Sequence, residues 1–386
     1  MHNRREFLKR LALLGAAATL PVQHLFAEST LTPRPMGDGL SVIRLGKDVK
    51  PAKAPPRTIT IPDVGEFKVL KGDFHMHTLF SDGHVMPKDR VLEAVDNGLD
   101  VIAITDHIEY RPNIGGKSLR LVENDDYNRS YNLAKAEAET NNLILVRGTE
   151  ITKKMWHFNA LFVNDVNSIA AVVDDWEAML AVATDQGGFV QWNHPNWIDR
   201  EPDKPPFGLK EGEPLRFFDE IEGARKRGHV HGIEVFNGSS FCPVALDWCN
   251  ERDLAPVANT DIHPSDWNAY GHQNPLRPMT LIFAKDRSYE SVREAFFAKR
   301  TVGWGANMIL GRQPWVEKLF RSCVAITNTI NGVTLQNLSD IPCLVEANGK
   351  ASDLLAQGIL EIAATKKLTV RNWFVGMNKP LEIDLV

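Results

Sequence analysis

Six histidines and three carboxylates stand where strand-like runs of this chain end. His75 and His77 lie in FHMHTLFSDG, followed by Asp82. His107 closes AITDH, Glu150 closes RGTE, and His157 opens HFNALFV. His194 follows in QWNHP, and Asp261 and His263 in ANTDIH. Folding alone gives no reason to gather imidazoles and carboxylates at the mouths of so many strands. Divalent ions do: histidine suits Zn, Fe and Mn, and a carboxylate can bridge two of them. Residues i and i+2 of a strand share a face, so His75 with His77, and Asp261 with His263, can each grip one ion. One HxH pair occurs by chance on wet strands. Two such pairs joined by SDG, TDH, a strand-end Glu and NHP do not. The set points to a metal-dependent hydrolase.

Something must bring these ends together. From Phe67 the chain alternates strand and helix patterns. FKVLKGDFHMH, DVIAITDH, LILVRGTEIT, HFNALFV, GGFVQWNHP, HGIEVFNG and LAPVANTDIH read as strands. PKDRVLEAVDNGL carries Val91, Leu92, Val95 and Leu99 at amphipathic-helix spacing, with Pro87 in the first turn. Further helical stretches fall near 125–141, 170–186, 243–253 and 288–299. Alternation over this length predicts a parallel sheet. Polar residues at strand ends favour a barrel, whose chemistry gathers at the C-terminal mouth. An open doubly wound sheet would instead show a Gly-rich phosphate loop, and no GxGxxG or Walker pattern is present. After Trp315 the text changes to VAITNTI, TLQNLS, CLVEAN, GILEIAA, KLTVRNWFV and LEIDLV, the pattern of a small antiparallel module, read as a sandwich.

The expected organisation is therefore a signal segment at 1–27, a linker or extended arm at 28–66, a barrel at 67–314 and a β-rich module at 315–386. At 386 residues the chain suits a barrel of about 250 residues plus a smaller part. A net charge of −5 and the lack of a Lys/Arg run after residue 10 argue against a nucleic-acid duplex as partner. NRREFLK resembles the twin-arginine export motif, and LALLGAAATLPV has the length of a signal h-region but not of a bilayer span. The expectation is export to the periplasm or beyond through the twin-arginine machinery, cleavage near Ala27, and no stable membrane anchor. Cys242 and Cys249 flank or enter a helix, too far apart to pair. Cys323 and Cys343 either pair across strands or remain two buried thiols.

HMHTLFSDG, AITDH, GTE with a histidine seven residues after the Glu, NHP and TDIH, in this order, resemble the PHP (polymerase and histidinol phosphatase) superfamily over residues 67–300. The resemblance implies a distorted (β/α)7 TIM-like barrel holding two to three divalent ions. It implies that His75, His77, Glu150 and Asp261 bind the first, that Glu150, His157 and His194 bind the second with Glu150 bridging, and that Asp82, His107 and His263 bind the third. Some members carry histidine where this chain has Asp82. ITDHIEYRPN, QWNHPNW, GIEVFNG, LDWC and LRPMTLIFAK are similar to a narrower branch, exported phosphodiesterases of small organophosphate diesters. Phosphomonoesterases of histidinol-phosphatase type are the near alternative. An amidohydrolase is a further one, disfavoured by the Glu at strand three and the late DxH.

Charge fits phosphate chemistry: three carboxylates with three divalent ions leave the site formally +3, attractive to a phosphate ester. Metals bring the pKa of bound water toward about 7, so hydroxide is the expected nucleophile, with Asp261 and His263 as ligands that also handle protons. Arg111, four residues past AITDH, is the first choice for a phosphate clamp and Arg277 the second; for either, the alternative is a solvated loop or a salt bridge. His84 beside SDG is a further substrate contact. Asp106 either orients a ligand histidine or caps a strand end. Trp192 and Trp197 either wall an ester pocket or belong to the core. His229 and His231 precede the GIEVFNG strand at its far end and read as packing.

Overall fold

The computed structural model describes residues 56–109, 126–153, 156–198, 209, 213–266 and 276–385, and the backbone of two short strand pairs, 34–35 with 41–42 and 113–114 with 117–118. Arg111, His272 and the segment 1–33 lie outside the described residues. The chain divides into Met1–Ala54 and Pro55–Val386. The second unit carries all nine candidate ligands.

Its elements run β1 (Lys68–Asp73), α1 (Pro87–Asp96), β2 (Val101–Ile104), α2 (Arg129–Thr140), β3 (Ile144–Lys153), β4 (Trp156–Leu161), α3 (Trp176–Asp185), β5 (Phe189–Trp192), α4 (Asp219–Lys226), β6 (Gly232–Asn237), α5 (Pro243–Arg252) and β7 (Ala255–Asn259). Neighbouring ladders join β1 through β7 in sequence order. All are parallel except the two that flank β4, which runs the other way. The expectation of an all-parallel strand order fails here for a simple reason. Two residues separate β3 from β4, and a parallel return needs a crossover of a dozen or more. The reversal is what brings His157, at the start of β4, to the same end as Glu150 in β3.

The curved sheet meets itself at that end. Asp261 N–H donates to His75 O at 2.9 Å and His77 N–H to Ile262 O at 3.0 Å, a parallel bridge of Met76 with Ile262. Below the bridge β1 pairs instead with β8 (Met279–Ala284), so strand pairing does not close the ring along its length. The result is a distorted seven-strand TIM-like barrel joined at its mouth. Phe74, Phe162, Phe189 and Phe296 fill the interior and its floor, with Phe74 and Phe296 edge to face at 4.5 Å. Helix α1 begins at Pro87 and buries Val91 and Ala94. The chain turns away from the helix's C-terminal end at Gly98 (φ 73°), where a Cβ would come within 2.4 Å of Arg57 O.

Beyond β8 come α6 (Tyr289–Phe297), β9 (Thr301–Gly305), β10 (Met308–Gly311) and α7 (Gln313–Cys323), then β11 (Val324–Thr329), β12 (Gly332–Asn337), β13 (Cys343–Ala347), β14 (Lys350–Leu354), β15 (Ile359–Ala363), β16 (Lys367–Gly376) and β17 (Lys379–Asp384). The C-terminal strands pair antiparallel as β11–β12–β15 and as β14–β13–β16–β17. The second group continues into the barrel sheet because β16 pairs with β10. The stretch after Trp315 does not begin with a strand: α7 spans it and buries Val316, Leu319, Phe320 and Cys323. Residues 57–64 lie extended against the fold, with Thr60 and Asp340 exchanging hydrogen bonds through Thr60 N at 2.7 Å and Asp340 N at 2.9 Å. All four cysteines are buried free thiols.

Candidate metal centre

The nine residues singled out in the sequence converge at the barrel mouth. Their donor atoms form three groups, each within 4.8 Å: His75, His77, Glu150 and Asp261; Glu150, His157 and His194; and His77, Asp82, His107 and His263. His75 Nε2 lies 3.1 Å from Glu150 Oε2 and 3.2 Å from Asp261 Oδ1. His77 Nε2 lies 3.2 Å and 3.1 Å from the same two oxygens. A tetrahedral ion with bonds of about 2.0–2.1 Å separates its ligands by roughly 3.3–3.4 Å, so this quartet fits one. In the second group His157 Nδ1 is 2.9 Å and His194 Nε2 3.7 Å from Glu150 Oε1. His157 Nε2 is buried with no partner. In the third, His263 Nε2 is 3.1 Å and His107 Nε2 3.7 Å from Asp82 Oδ2. The donor set fits divalent ions, and the third group is the most open: His75 and His77 are fully buried, whereas Asp82 and His263 are about one-third exposed.

Local structure aims these side chains. His75, His77, His107, His194, Asp261 and His263 fall two to four residues past the last residue of a strand, whereas Asp82 comes from the SDG loop that follows the HxH segment. Asp261 (φ 53°) and His194 (φ 24°) adopt the left-handed region, which an unbranched residue enters at a cost of about 1–3 kcal/mol and which recurs at functional sites. Gly83 lets the SDG loop fold back on the HxH segment, since a Cβ there would sit 2.3 Å from His77 C.

A second layer fixes ring orientation. His75 Nδ1 donates to Glu234 Oε1 at 2.8 Å, leaving Nε2 to face the cluster. His263 Nδ1 donates to Asp261 O at 2.8 Å, and His107 Nδ1 meets Thr152 Oγ1 at 2.9 Å. Glu234, in the middle of β6, is not marked by the sequence pattern. It is buried and accepts from His75 Nδ1, Asn259 Nδ2, Gln191 Nε2, His194 N and Asn237 Nδ2. A lone acid in an apolar strand was the available signal, because a buried carboxyl requires donors. It adds a fourth carboxyl group beside the three counted from the sequence.

Arg90 is likewise unmarked in the sequence. From α1 its buried guanidinium donates to His77 O, Ile262 O, His263 O and Pro264 O, tying the HxH segment to the DxH segment, and pairs with Glu93 at 2.7 Å.

Other expectations need correction. Arg277 does not reach a substrate: it is 1% exposed, and its guanidinium is committed to Asp73 and Asp266. Asp73 in turn accepts from His75 N and from Thr260. Arg277 therefore braces the backbone behind the first group. Asp106 touches no ligand histidine. It accepts from Thr78 N at 2.6 Å, Thr78 Oγ1 at 2.7 Å, Ser81 Oγ at 2.8 Å and Ser130 Oγ, anchoring the loop that carries Asp82. Trp192 is core, stacked on Trp248 at 5.5 Å. Trp197 is 43% exposed beside His157 and His194. His84 is exposed at the rim, its N–H bonded to His263 O at 2.8 Å. His231 packs on Phe189 and Phe297 at the far end of the barrel.

Without ions the cluster distributes protons instead. Burial alone would push His77 down, but hydrogen bonds to Asp261 and Glu150 and their charges hold it up to about 10. Burial drives His107 down to about 3 against the pull of Glu150. Burial opposes ionisation of Glu150 and Asp261 as well, yet the surrounding imidazoles hold both well below the carboxylate range. A cation entering this set displaces protons, so uptake is coupled to proton release.

Such a mouth, ringed by imidazoles and shared carboxylates, defines a metal-dependent hydrolase. The PHP domain family matches residues 73–189. A two-domain protein of Bacteroides vulgatus, described as containing a predicted PHP-like metal-dependent phosphoesterase, is 31% identical, with a TM-score of 0.75, over 86% of this chain and 99% of its own. The chain belongs to the PHP family of metal-dependent phosphoesterases and hydrolyses phosphoester bonds. A candidate metal-dependent phosphoesterase of Bifidobacterium adolescentis is 17% identical over 53% of this chain and 90% of its own, with a TM-score of 0.37. A sulfate-bound amidohydrolase of Chromobacterium violaceum is 13% identical over 52% of this chain and 90% of its own, with a TM-score of 0.36. Both likenesses are too weak to bear on activity. No curated protein matches the chain.

Proposed function

We propose that the substrate is a small organic phosphate diester, cleaved by a protein exported through the twin-arginine route. The observation that carries the diester reading is the fate of the arginines. Arg90 and Arg277, the described arginines that contact the ligand-bearing segments, are buried and spent on the protein itself. A diester carries one negative charge and a monoester close to two, so a mouth whose contacting arginines, among the described residues, are both spent on the protein suits the diester. Bound divalent ions would supply Lewis acidity and activate water at neutral pH; His75, His77, Glu150 and Asp261 would hold one, Glu150, His157 and His194 another, and Asp82, His107 and His263 a third. The identity of the ions, Zn, Mn or Fe, is left to the same donor chemistry.

The chain's own part is positional. Glu234, Thr152 and the Asp261 carbonyl fix the imidazole faces, so the site is arranged before substrate arrives. Asp261 and His263, with 21% and 33% of their side chains exposed, would be the ligands that take and return a proton. His84, exposed at the rim, would contact the substrate, and Arg111 would clamp the phosphate. Comparing a bis-aryl phosphate with its monoester tests the reading: a lower kcat/KM for the diester would favour the histidinol-phosphatase type. Among the described residues no helix is long and apolar enough to cross a membrane. Replacing Arg4 and Arg5 by lysine should hold the protein in the cytoplasm; unchanged fractionation would remove the export route.

A further inference from the structure

We propose that Trp197 is the specificity-determining wall of the site, a platform for the apolar or planar organic substituent of the phosphate compound that binds there. The proposal rests on the phosphoesterase reading and extends it to the class of ester group. A singly exposed tryptophan is ordinary on a protein surface. Its neighbours here are not. The Trp197 ring lies 5.5 Å from the His157 ring and 5.9 Å from the His194 ring, centroid to centroid, and both belong to the second ligand group. Trp156, Trp176, Trp192 and Trp248, by contrast, are buried and packed on one another or on the core.

The backbone that carries the indole is also held in place: the main-chain N–H of Trp197 donates to His194 O at 2.9 Å, and that of Leu209 donates to Trp197 O at 3.0 Å. Asn196 Nδ2 donates to Ser240 Oγ at 2.9 Å, and Ile198, the residue after Trp197, is 40% exposed. On the third-group side the ring of residues is polar: Asp82, His263 and the exposed His84. The mouth is thus two-sided, apolar over the second ligand group and polar over the third. A phosphoryl group seated between them places a substituent across the indole face, where ring contacts contribute about 3- to 10-fold in affinity.

Phenylphosphonate and methylphosphonate share one head group and differ only in the substituent. Their binding to the metal-loaded full chain should be measured by calorimetry and by competitive inhibition, for wild type, W197F and W197A, with metal content determined alongside. Wild type should prefer the phenyl compound by about 3- to 10-fold. W197F should keep most of that preference, and W197A should lose it with methylphosphonate affinity and metal content unchanged. The proposal is overturned if wild type shows no preference or if W197A retains it. Equal weakening of both ligands, or loss of metal, would also overturn it by making Trp197 a prop for His157 and His194. Phosphonates have no ester to cleave, so this outcome stands apart from the diester reading, which fails separately if a diester is not turned over.

Discussion

Glu234→Gln changes one atom type at the heart of the second layer. Oε1 of Glu234 accepts from His75 Nδ1 at 2.8 Å, Asn259 Nδ2 at 2.9 Å and Gln191 Nε2 at 3.3 Å; Oε2 accepts from His194 N at 2.8 Å and Asn237 Nδ2 at 2.9 Å. A glutamine amide must turn its NH2 toward one of these sets. The less costly orientation keeps the carbonyl on His75 and sets NH2 against the backbone N–H of His194 and the amide of Asn237. Leaving two buried donors unmatched costs about 1–3 kcal/mol each, so stability should fall by roughly 2–6 kcal/mol. The side chain is isosteric, so the loss is electrostatic rather than steric. Because His75 and His194 belong to different ligand groups, affinity for both ions should drop about 10- to 100-fold, the usual effect of an outer partner. Chelator competition on the metal-loaded protein reads the affinity, and denaturant unfolding reads the stability. Wild-type affinity together with wild-type stability in E234Q would refute the assignment of Glu234 as the group that orients His75 and His194.

Arg90→Met should free four backbone carbonyls of residues 77 and 262–264, lower stability by more than about 4 kcal/mol and reduce occupancy of the third ligand group more than the first; elemental analysis after dialysis checks this, and equal occupancy of both groups would contradict it. Burial, with the nearby charges of His229 and Lys299, drives the His231 imidazole down to about 4. The folded form therefore stays neutral where an unfolded histidine, near 6.5, takes a proton. Its contribution is complete above about pH 6.5 and is lost as pH falls toward 4, by at most ~3 kcal/mol. Denaturant unfolding at pH 7 and pH 4.5 should show the difference between wild type and His231→Gln shrinking at the lower pH; a constant difference would count against it.

The ligands were legible because metal binding restricts residue type, and strand ends are where a barrel displays function. The barrel itself was legible from strands alternating with helices, and the C-terminal strands from period-two patterning. The direction of β4 was legible too, in the short gap before HFNALFV, but strand–helix alternation pointed the other way. Helix α7 was hidden by its setting, although Val316, Leu319, Phe320 and Cys323 carry a helical spacing. Glu234, Arg90 and the true role of Arg277 were hidden for a common physical reason. Their partners lie far off in sequence, such as Asp73 for Arg277 and the 262–264 carbonyls for Arg90, so no local pattern marks them. An arginine near a strand end looks like a phosphate clamp until its burial is known. Trp192 and Trp197, five residues apart and alike in sequence, separate only when one is found in the core and the other at the mouth.

The assembled mouth is defined by the bond it cleaves. The direct measurement is kcat/KM of one preparation, stripped with chelator and then reloaded with Zn, Mn or Fe, on bis(4-nitrophenyl) phosphate and on 4-nitrophenyl phosphate. A metal-dependent diesterase should turn over neither when stripped, recover on reloading, and show a higher kcat/KM for the diester. Turnover that survives metal removal, or a reloaded enzyme that prefers the monoester, would contradict it.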